Sequence, residues 1–296
     1  MELQQLKTFC TVAKTQSFTK ASELLDYAQS SISSQIRLLE EELHVKLFER
    51  MGRKIFLTKE GENLLEYAEK ILSLAKEAKE AVNGSDIPKG TLIIGAPESI
   101  CVYRLPSVLQ EYKRLYPEVE IILKIGTCPE LFSWVRNNTI DIAVLMDQKI
   151  AADDLIIEPL REETMILISG GNHFLADQGQ TKPHDLENQQ LIMIEKDCCY
   201  RSQFEAQLAK ANVKLASTLE IGSIETIKKC VVSGLGLSLL PQMTVEQELT
   251  AGTLRDLFWK DSNFNIFTLM VYHKDKWLAP AIKAFIELTR ALLKES

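Results

Sequence analysis

The chain has 296 residues, a formal net charge of −7, 46% hydrophobic residues and 25% charged residues. That length exceeds the ~100–200 residues of a single domain, so two or more units are predicted, each able to bury a core. No apolar run approaches the ~18 residues of a membrane span, and residues 1–16 read as an amphipathic helix rather than an export signal. The six cysteines, at 10, 101, 128, 198, 199 and 230, show neither zinc-type pairs nor a secreted disulfide framework, which fits a reduced cytoplasmic chain.

In chain order, the first predicted helix carries Leu3, Leu6, Phe9 and Ala13 on one face. A short helix over 18–25 follows, with Ala21, Leu24 and Leu25 on one face, then a turn at Asp26 and Tyr27. A third helix, roughly 29–42, carries Ile32, Ile36, Leu39 and Leu43 at spacings of 4, 3 and 4, a core-facing stripe. Lys46–Glu49 and Ile55–Leu57 read as the strands of a hairpin turning at Met51 and Gly52. Two short helices across a tight turn, then a basic hairpin, is the order in which a winged helix-turn-helix meets duplex DNA. From Lys59 a long helix places Leu64, Ala68, Ile71, Ala75, Ala78 and Val82 on a heptad seam, read as a dimerisation face; packing on its own domain is the competing reading. NGSDIPKG at 83–90 reads as a linker.

Beyond Thr91 the texture changes. TLIIGA, VEIILKI and DIAVLM alternate with helical patterns near 100–115 and 129–138, the sign of a parallel sheet with helices on both faces. A second series holds TMILIS, QLIMIEK, a helix near 201–211, STLEIG, a helix near 224–233 and GLGLSLLP; IFTLMVY and a C-terminal helix close the chain. Two α/β lobes joined by crossing strands account for this, lobe I as 91–161 with 266–296 and lobe II as 162–265. The domains are then 1–58, a linker helix and hinge at 59–90, and 91–296.

An acidic chain is a poor partner for DNA only in total. Within 1–58, eight bases (Lys7, Lys14, Lys20, Arg37, Lys46, Arg50, Arg53, Lys54) nearly balance seven acids, and the bases gather at the hairpin.

Residues 3–61 resemble the LysR-type transcriptional regulators. SFTKASELL, QSSISSQIRLLE, LFER and LTKEG look like the family's S-F-T-x-A-A-x-x-L, Q-S-x-x-S-x-Q-I-x-x-L-E, L-F-x-R and L-T-x-x-G. Ser22 stands where alanine is usual, Ala28 where serine is common, and His44 where glycine often closes the helix. In the second half, APESICVYRLP, NTIDIAVL, CCYR and IGSIETIKKCVVSGLGLSLLP are similar to the family's effector-binding domain. The resemblance implies an all-α winged helix-turn-helix with a long linker helix, then a two-lobed α/β domain like a periplasmic binding protein.

With its apolar stripe inward, the third helix leaves Gln29, Ser30, Ser31, Ser33, Ser34 and Arg37 for base edges and phosphates, its N-terminus leading. Arg50, Arg53 and Lys54 at the hairpin suit the DNA backbone or minor groove, and Ser17 and Thr19 serve as helix caps or phosphate ligands. Ligands of open α/β sheets sit beyond the strands' carboxyl ends. Those ends offer Glu98, Ser99, Ile100 and Cys101, then Thr127 and Cys128, then Met146, and in the second lobe Cys198, Cys199, Tyr200 and Arg201, then Gly222, Ser223 and Ile224. The resemblance singles out Ser99 and Thr127 for the effector. Glu98 at the mouth repels anions, which leaves zwitterionic and neutral effectors open. Cys101, Cys128, Cys198 and Cys199 read either as a thiol sensor or as small buried hydrophobes.

The four histidines lack ligand spacing, and Gly234 and Gly236 do not make a phosphate fingerprint. No catalytic set, cofactor or metal is expected. An enzyme on a two-lobed scaffold lacks a nucleophile–base pair, an exported solute-binding protein is at odds with the N-terminal helices, and a ligand-independent repressor stays open. The leading expectation is a sequence-specific regulator that responds to a small-molecule effector. Its partners would be double-stranded DNA with an imperfect palindrome, a second copy (homodimer or homotetramer) and RNA polymerase, with no membrane.

Overall fold

The structure is a computed structural model describing residues 1–51, 54–82, 87–260 and 264–294. It divides into two compact units, Met1–Asp86 with Arg136–Thr139, and Ile87–Val135 with Ile140–Ser296.

The first unit holds α1 (Leu3–Thr15), α2 (Phe18–Leu25), α3 (Gln29–Leu43), a hairpin of β1 (Phe48–Met51) and β2 (Lys54–Leu57), and α4 (Lys59–Val82). Leu6, Phe9, Val12, Ala21, Ile32, Ile36 and Leu39 form its core, with Phe48 packed against Phe9 and Phe18 at ring separations of 5.4 and 5.9 Å. Leu3 and Leu24, expected to face inward, are instead 47% and 71% exposed, because Val12 and Cys10 complete the α1 face and Phe18, Ala21 and Leu25 make up that of α2. The hairpin pairs Phe48 with Leu57 through Met51 with Lys54, two residues later in its first strand than the sequence suggested. Gly52 lies outside the described residues.

α1, α2 and α3 end on Gln16, Asp26 and His44, each at positive φ (50°, 56° and 56°). His44 thus holds the left-handed cap that glycine favours, its N–H closing on the Glu40 carbonyl.

In the second unit, β3 (Gly90–Ala96), α5 (Glu98–Tyr103), α6 (Leu105–Leu115), β4 (Val119–Ile125), α7 (Cys128–Arg136), β5 (Ile142–Asp147) and β6 (Leu155–Glu162) begin lobe I. Lobe II holds β7 (Met165–Gly170), β8 (Gln190–Met193), α8 (Cys199–Lys210), β9 (Ser217–Glu220), α9 (Ile224–Val232), β10 (Ser238–Pro241), α10 (Glu246–Thr250) and β11 (Leu254–Asp256). β12 (Phe267–His273) and α11 (Pro280–Leu293) return to lobe I.

Its sheet runs β4-β3-β5-β12-β6. The first three strands are parallel, but β12 and β6 are antiparallel additions, so the sheet is mixed rather than wholly parallel. In lobe II, β8 and β9 pair in parallel, while β10-β7-β11 is antiparallel; a bridge from Leu191 to Leu237 joins the two sets. Each central strand is buried on both faces: Ile142, Val144 and Met146 point to one core while Ala143 and Leu145 point to another. The predicted helix over 100–115 breaks at Arg104, because Pro106 removes an N–H from the next helix's first turn. The break frees Arg104 to reach the buried Glu163, which it holds at 3.0 and 2.6 Å where the chain crosses between lobes, with Thr268 donating at 2.6 Å.

Candidate functional site

The DNA-facing candidates cluster on α3. Ile32, Ile36 and Leu39 are at most 4% exposed, so the helix is anchored on one side. The opposite side leaves Gln29, Ser30, Ser31, Ser33 and Arg37 exposed and Ser34 half-buried. Ala28 caps the start without a side-chain hydrogen bond. The Ser31 N–H bonds the Ala28 carbonyl at 2.9 Å, which leaves the Gln29 and Ser30 N–H groups for an anion. Arg37 pairs with Glu41 at 3.3 Å, an exposed contact weak enough to exchange for phosphate. Gln35, in contrast, is tied to α1 by the Thr8 hydroxyl at 2.6 Å.

Ser17 accepts from the Lys20 N–H at 3.3 Å as the α2 cap, while Thr19 is exposed. Arg50 and Lys54 sit on the paired strands by their backbone, and Arg53 lies outside the described residues.

Sequence reasoning missed the residue that aims the hairpin. Glu40, the last residue of the LLE motif, is 9% exposed and accepts the Leu47 N–H at 2.9 Å and the Lys46 ammonium at 2.6 Å. It reads as one of an acidic run; only its place beside Leu39 on the inward face marks it out. Thr58 then donates to the Lys46 carbonyl at 2.6 Å and accepts from Gly61 at 3.0 Å, stapling the hairpin to α4.

The long helix differs from the seam drawn on it. Leu64, Ala68 and Ile71 pack on the unit's own core, Ala68 without any exposure. Ala75 is half-buried, and Ala78 and Val82 are exposed. Among the described residues of this helix, the large apolar side chains left outward are Tyr67, Leu74 and Val82, 63%, 64% and 86% exposed. A heptad pattern fixes a stripe but not its partner, and α1 takes the first half of this one.

In the second unit a cavity of about 220 Å³ opens at the carboxyl ends of β3, β4, β5 and β8. Ser99, Thr127, Cys128, Met146, Cys198, Cys199 and Ile224 line it, together with Glu98, Glu130, Glu195, Asp197 and Tyr200. Four expected residues do not line it. Ile100 is wholly buried in the core, and Cys101 turns its thiol toward the Ala96 carbonyl at 3.6 Å, because successive α5 positions rotate away from the mouth. Ser223 gives its hydroxyl to Glu98 at 3.2 Å instead. Arg201 is buried too, held by Glu205 and Glu220 at 2.8 and 2.7 Å and by the Ile194 carbonyl.

Glu98 ties the lobes together. Its carboxylate accepts the Ser223 hydroxyl and the Ile224 N–H at 3.0 Å, so it caps α9 from the opposite lobe. A second cross-lobe set joins the Tyr103 hydroxyl to Glu225 and to the Lys228 ammonium at 3.0 Å.

The Cys128 and Cys199 thiols both point to the Met146 carbonyl, at 3.4 and 3.3 Å. Burial pushes Cys128 up to about 12 and Cys101 to about 11. Cys198 goes the other way. Burial opposes its thiolate, but the Cys199 thiol, the N–H groups of Arg201 and Tyr200 at the start of α8 and the Tyr200 hydroxyl favour it and bring its pKa below the ordinary thiol value. Among the described residues no three His, Cys, Asp or Glu side chains are arranged to hold a metal ion. Among the described residues no helix is long and apolar enough to cross a membrane.

Two family profiles match this chain. Residues 3–62 match the bacterial regulatory helix-turn-helix protein, lysR family, and residues 85–294 match the LysR substrate binding domain. The chain belongs to the LysR family of transcriptional regulators. It is 41% identical over 296 residues to the uncharacterized HTH-type transcriptional regulator YwqM of Bacillus subtilis (strain 168), covering 99% of this chain and 100% of that one. It is 33% identical to the HTH-type transcriptional regulator GltR of the same organism, covering 97% and 95%. Among solved structures, full-length OxyR C199D from Pseudomonas aeruginosa superposes with a TM-score of 0.75 at 23% identity, covering 99% and 94%. CbnR complexed with its target DNA gives 0.69 at 21%, covering 98% and 99%. Both show the shared fold. As a LysR-type regulator the chain binds DNA and a small-molecule effector and is not an enzyme.

Proposed function

We propose that residues 1–58 read an imperfect palindrome in duplex DNA, that 59–90 link and pair the chains, and that the effector sits in the cavity of 91–296. The observation that carries the first part is the division of α3 into an apolar face at most 4% exposed and a polar face of Gln29, Ser30, Ser31, Ser33 and Arg37. Under this reading Gln29 and Arg37 meet bases, the α3 start and Ser17 or Thr19 meet phosphate, and Arg50, Arg53 and Lys54 follow the backbone beside them. The chains pair as a dimer or tetramer through the outward face of α4, supported by the exposure of Tyr67, Leu74 and Val82. A cytoplasmic setting and RNA polymerase as a further partner accompany it.

The test is fluorescence anisotropy with the duplex from upstream of the chain's own gene against a scrambled duplex. Preference for the former is expected, with log affinity falling linearly in log salt. Gln29→Ala should weaken the specific complex by about 1–3 kcal/mol and leave binding to the scrambled duplex unchanged. Equal affinity for both duplexes would refute the reading.

A further inference from the structure

The cavity taken above for the effector site is acidic. Glu98, Glu130, Glu195 and Asp197 line it, and no described lysine, arginine or histidine does. The bases adjoining it in sequence, Lys124, Lys196 and Arg201, are not among the lining residues, and Arg201 is paired with Glu205 and Glu220.

Helix starts converge here, and helix starts ordinarily favour anions. At two of them, α7 and α9, this chain's own carboxylates already stand. Glu98 holds the Ser223 hydroxyl and the Ile224 N–H, at 3.2 and 3.0 Å. Glu130 holds the Thr127 N–H and hydroxyl, at 2.8 and 2.9 Å. Glu195 lies over Gly222 so closely that a Cβ there would meet its Oε1 at 2.4 Å. At these two helix starts a carboxylate already stands where an anion would sit, and its negative charge remains.

A second, separate feature points to a ligand. Tyr200 lines the same cavity, is 3% exposed, and its hydroxyl has the Cys198 thiol as its one partner among the described residues. Sulfur is a weak partner, so the hydroxyl keeps hydrogen-bonding capacity that a bound group would use. Ile125, Met146, Ile194 and Ile224 supply apolar wall between the charged groups.

We propose that this cavity takes a small organic cation, an ammonium group carried on an apolar body, and discriminates against free carboxylates. The proposal rests on the reading of the cavity as the effector site. The cation sits among the four carboxylates, its apolar body lies on the isoleucine walls, and the Tyr200 hydroxyl accepts an N–H.

The cavity's own thiols can report its charge. The full-length chain is treated separately with a trimethylammonium methanethiosulfonate and with its sulfonate counterpart, and the rates at Cys128, Cys198 and Cys199 are followed by peptide mass mapping. Each cation-to-anion rate ratio is divided by that of Cys230, which does not line the cavity and corrects for the chain's overall charge. The expected ratio is at least tenfold in favour of the cation, falling towards one in Glu195→Gln/Asp197→Asn; both positions are exposed, so the fold is spared. A ratio at or below one in the unaltered chain overturns the proposal. Failure of the effector reading registers elsewhere: a bulky adduct on the cavity thiols would leave DNA affinity unchanged while the ratio stays high.

Discussion

Replacing Gly61 by alanine separates two arguments of opposite sign. Gly61 lies in the first turn of α4, where helix propensity alone makes alanine more stable by about 1 kcal/mol. The packing says otherwise. A Cβ at this position would stand 2.2 Å from the Leu47 carbonyl oxygen and 3.0 Å from Leu57 Cδ2. Relief needs a backbone shift of roughly 1 Å, and overpacking of that kind costs about 1–3 kcal/mol. The shift also strains linked hydrogen bonds: Thr58 N–H to Leu47 at 3.0 Å, Thr58 hydroxyl to Lys46 at 2.6 Å, and Gly61 N–H to Thr58 at 3.0 Å. Losing two of these costs about 2 kcal/mol, so the net destabilisation after the propensity gain is about 2–4 kcal/mol. Native-state hydrogen exchange on the full chain measures this at the amides of the wholly buried Phe9 and Leu39, where exchange through opening of the whole unit is expected. Exchange should accelerate roughly 30- to 700-fold at these sites. Unchanged or slower exchange would show that propensity wins and that the close approach to Leu47 is without consequence.

Three further outcomes are expected. Burial alone would raise the Glu158 carboxyl, but Arg290 at 2.7 Å and Lys294 at 3.4 Å hold it below the ordinary carboxylate value. Its contribution is thus present above the unfolded carboxyl value and lost as pH falls through the lower folded one, so the melting-temperature gap to Glu158→Gln should close below about pH 4; a gap that persists at pH 2 counts against the assignment. With limiting iodoacetamide at neutral pH, mass mapping should find Cys198 modified ahead of Cys101 and Cys128, whose thiols burial holds near 11 and 12; Cys101 reacting first would contradict the α8 argument. Glu98→Ala removes a charged acceptor from Ile224, a bond of about 1.5–3 kcal/mol, and should speed exchange of that amide about tenfold or more; no change would mean that water substitutes freely.

The parts of this fold that were legible in the sequence are those where one periodicity meets one core. The stripe at Ile32, Ile36 and Leu39 predicts a helix over 29–42, and the observed helix is Gln29–Leu43. VEIILKI is a strand over its whole length. β6 escaped notice because Pro159 and three charged residues interrupt its alternation, which it tolerates as an edge strand pairing on one side with β12. β11 has only three residues, too few for any pattern. The cavity was half legible. Strand ends marked Ser99, Thr127, Cys128 and Met146, but Glu195 and Asp197 sit in an irregular loop where charge carries no period. Glu40 shows the complementary failure, a charged residue whose burial depends on a backbone N–H seven residues away.

The position of Glu98 constrains how a ligand could act. The same carboxylate lines the cavity and caps α9 from the opposite lobe, so a cation drawn to it competes with the Ile224 N–H for its lone pairs. The Tyr103, Glu225 and Lys228 set does not touch the cavity and is indifferent to that competition. A ligand shifts an equilibrium only by its difference in affinity between the states. If binding weakens the Glu98 cap while the second set holds, the lobes would pivot about the retained contact rather than separate. Tyr103→Phe would then enlarge the response to a cation, whereas in a chain that switches by uniform closure it would diminish it. Measuring ligand-dependent exchange at Ile224 in both backgrounds distinguishes the two, because only the pivot predicts a larger change in the variant.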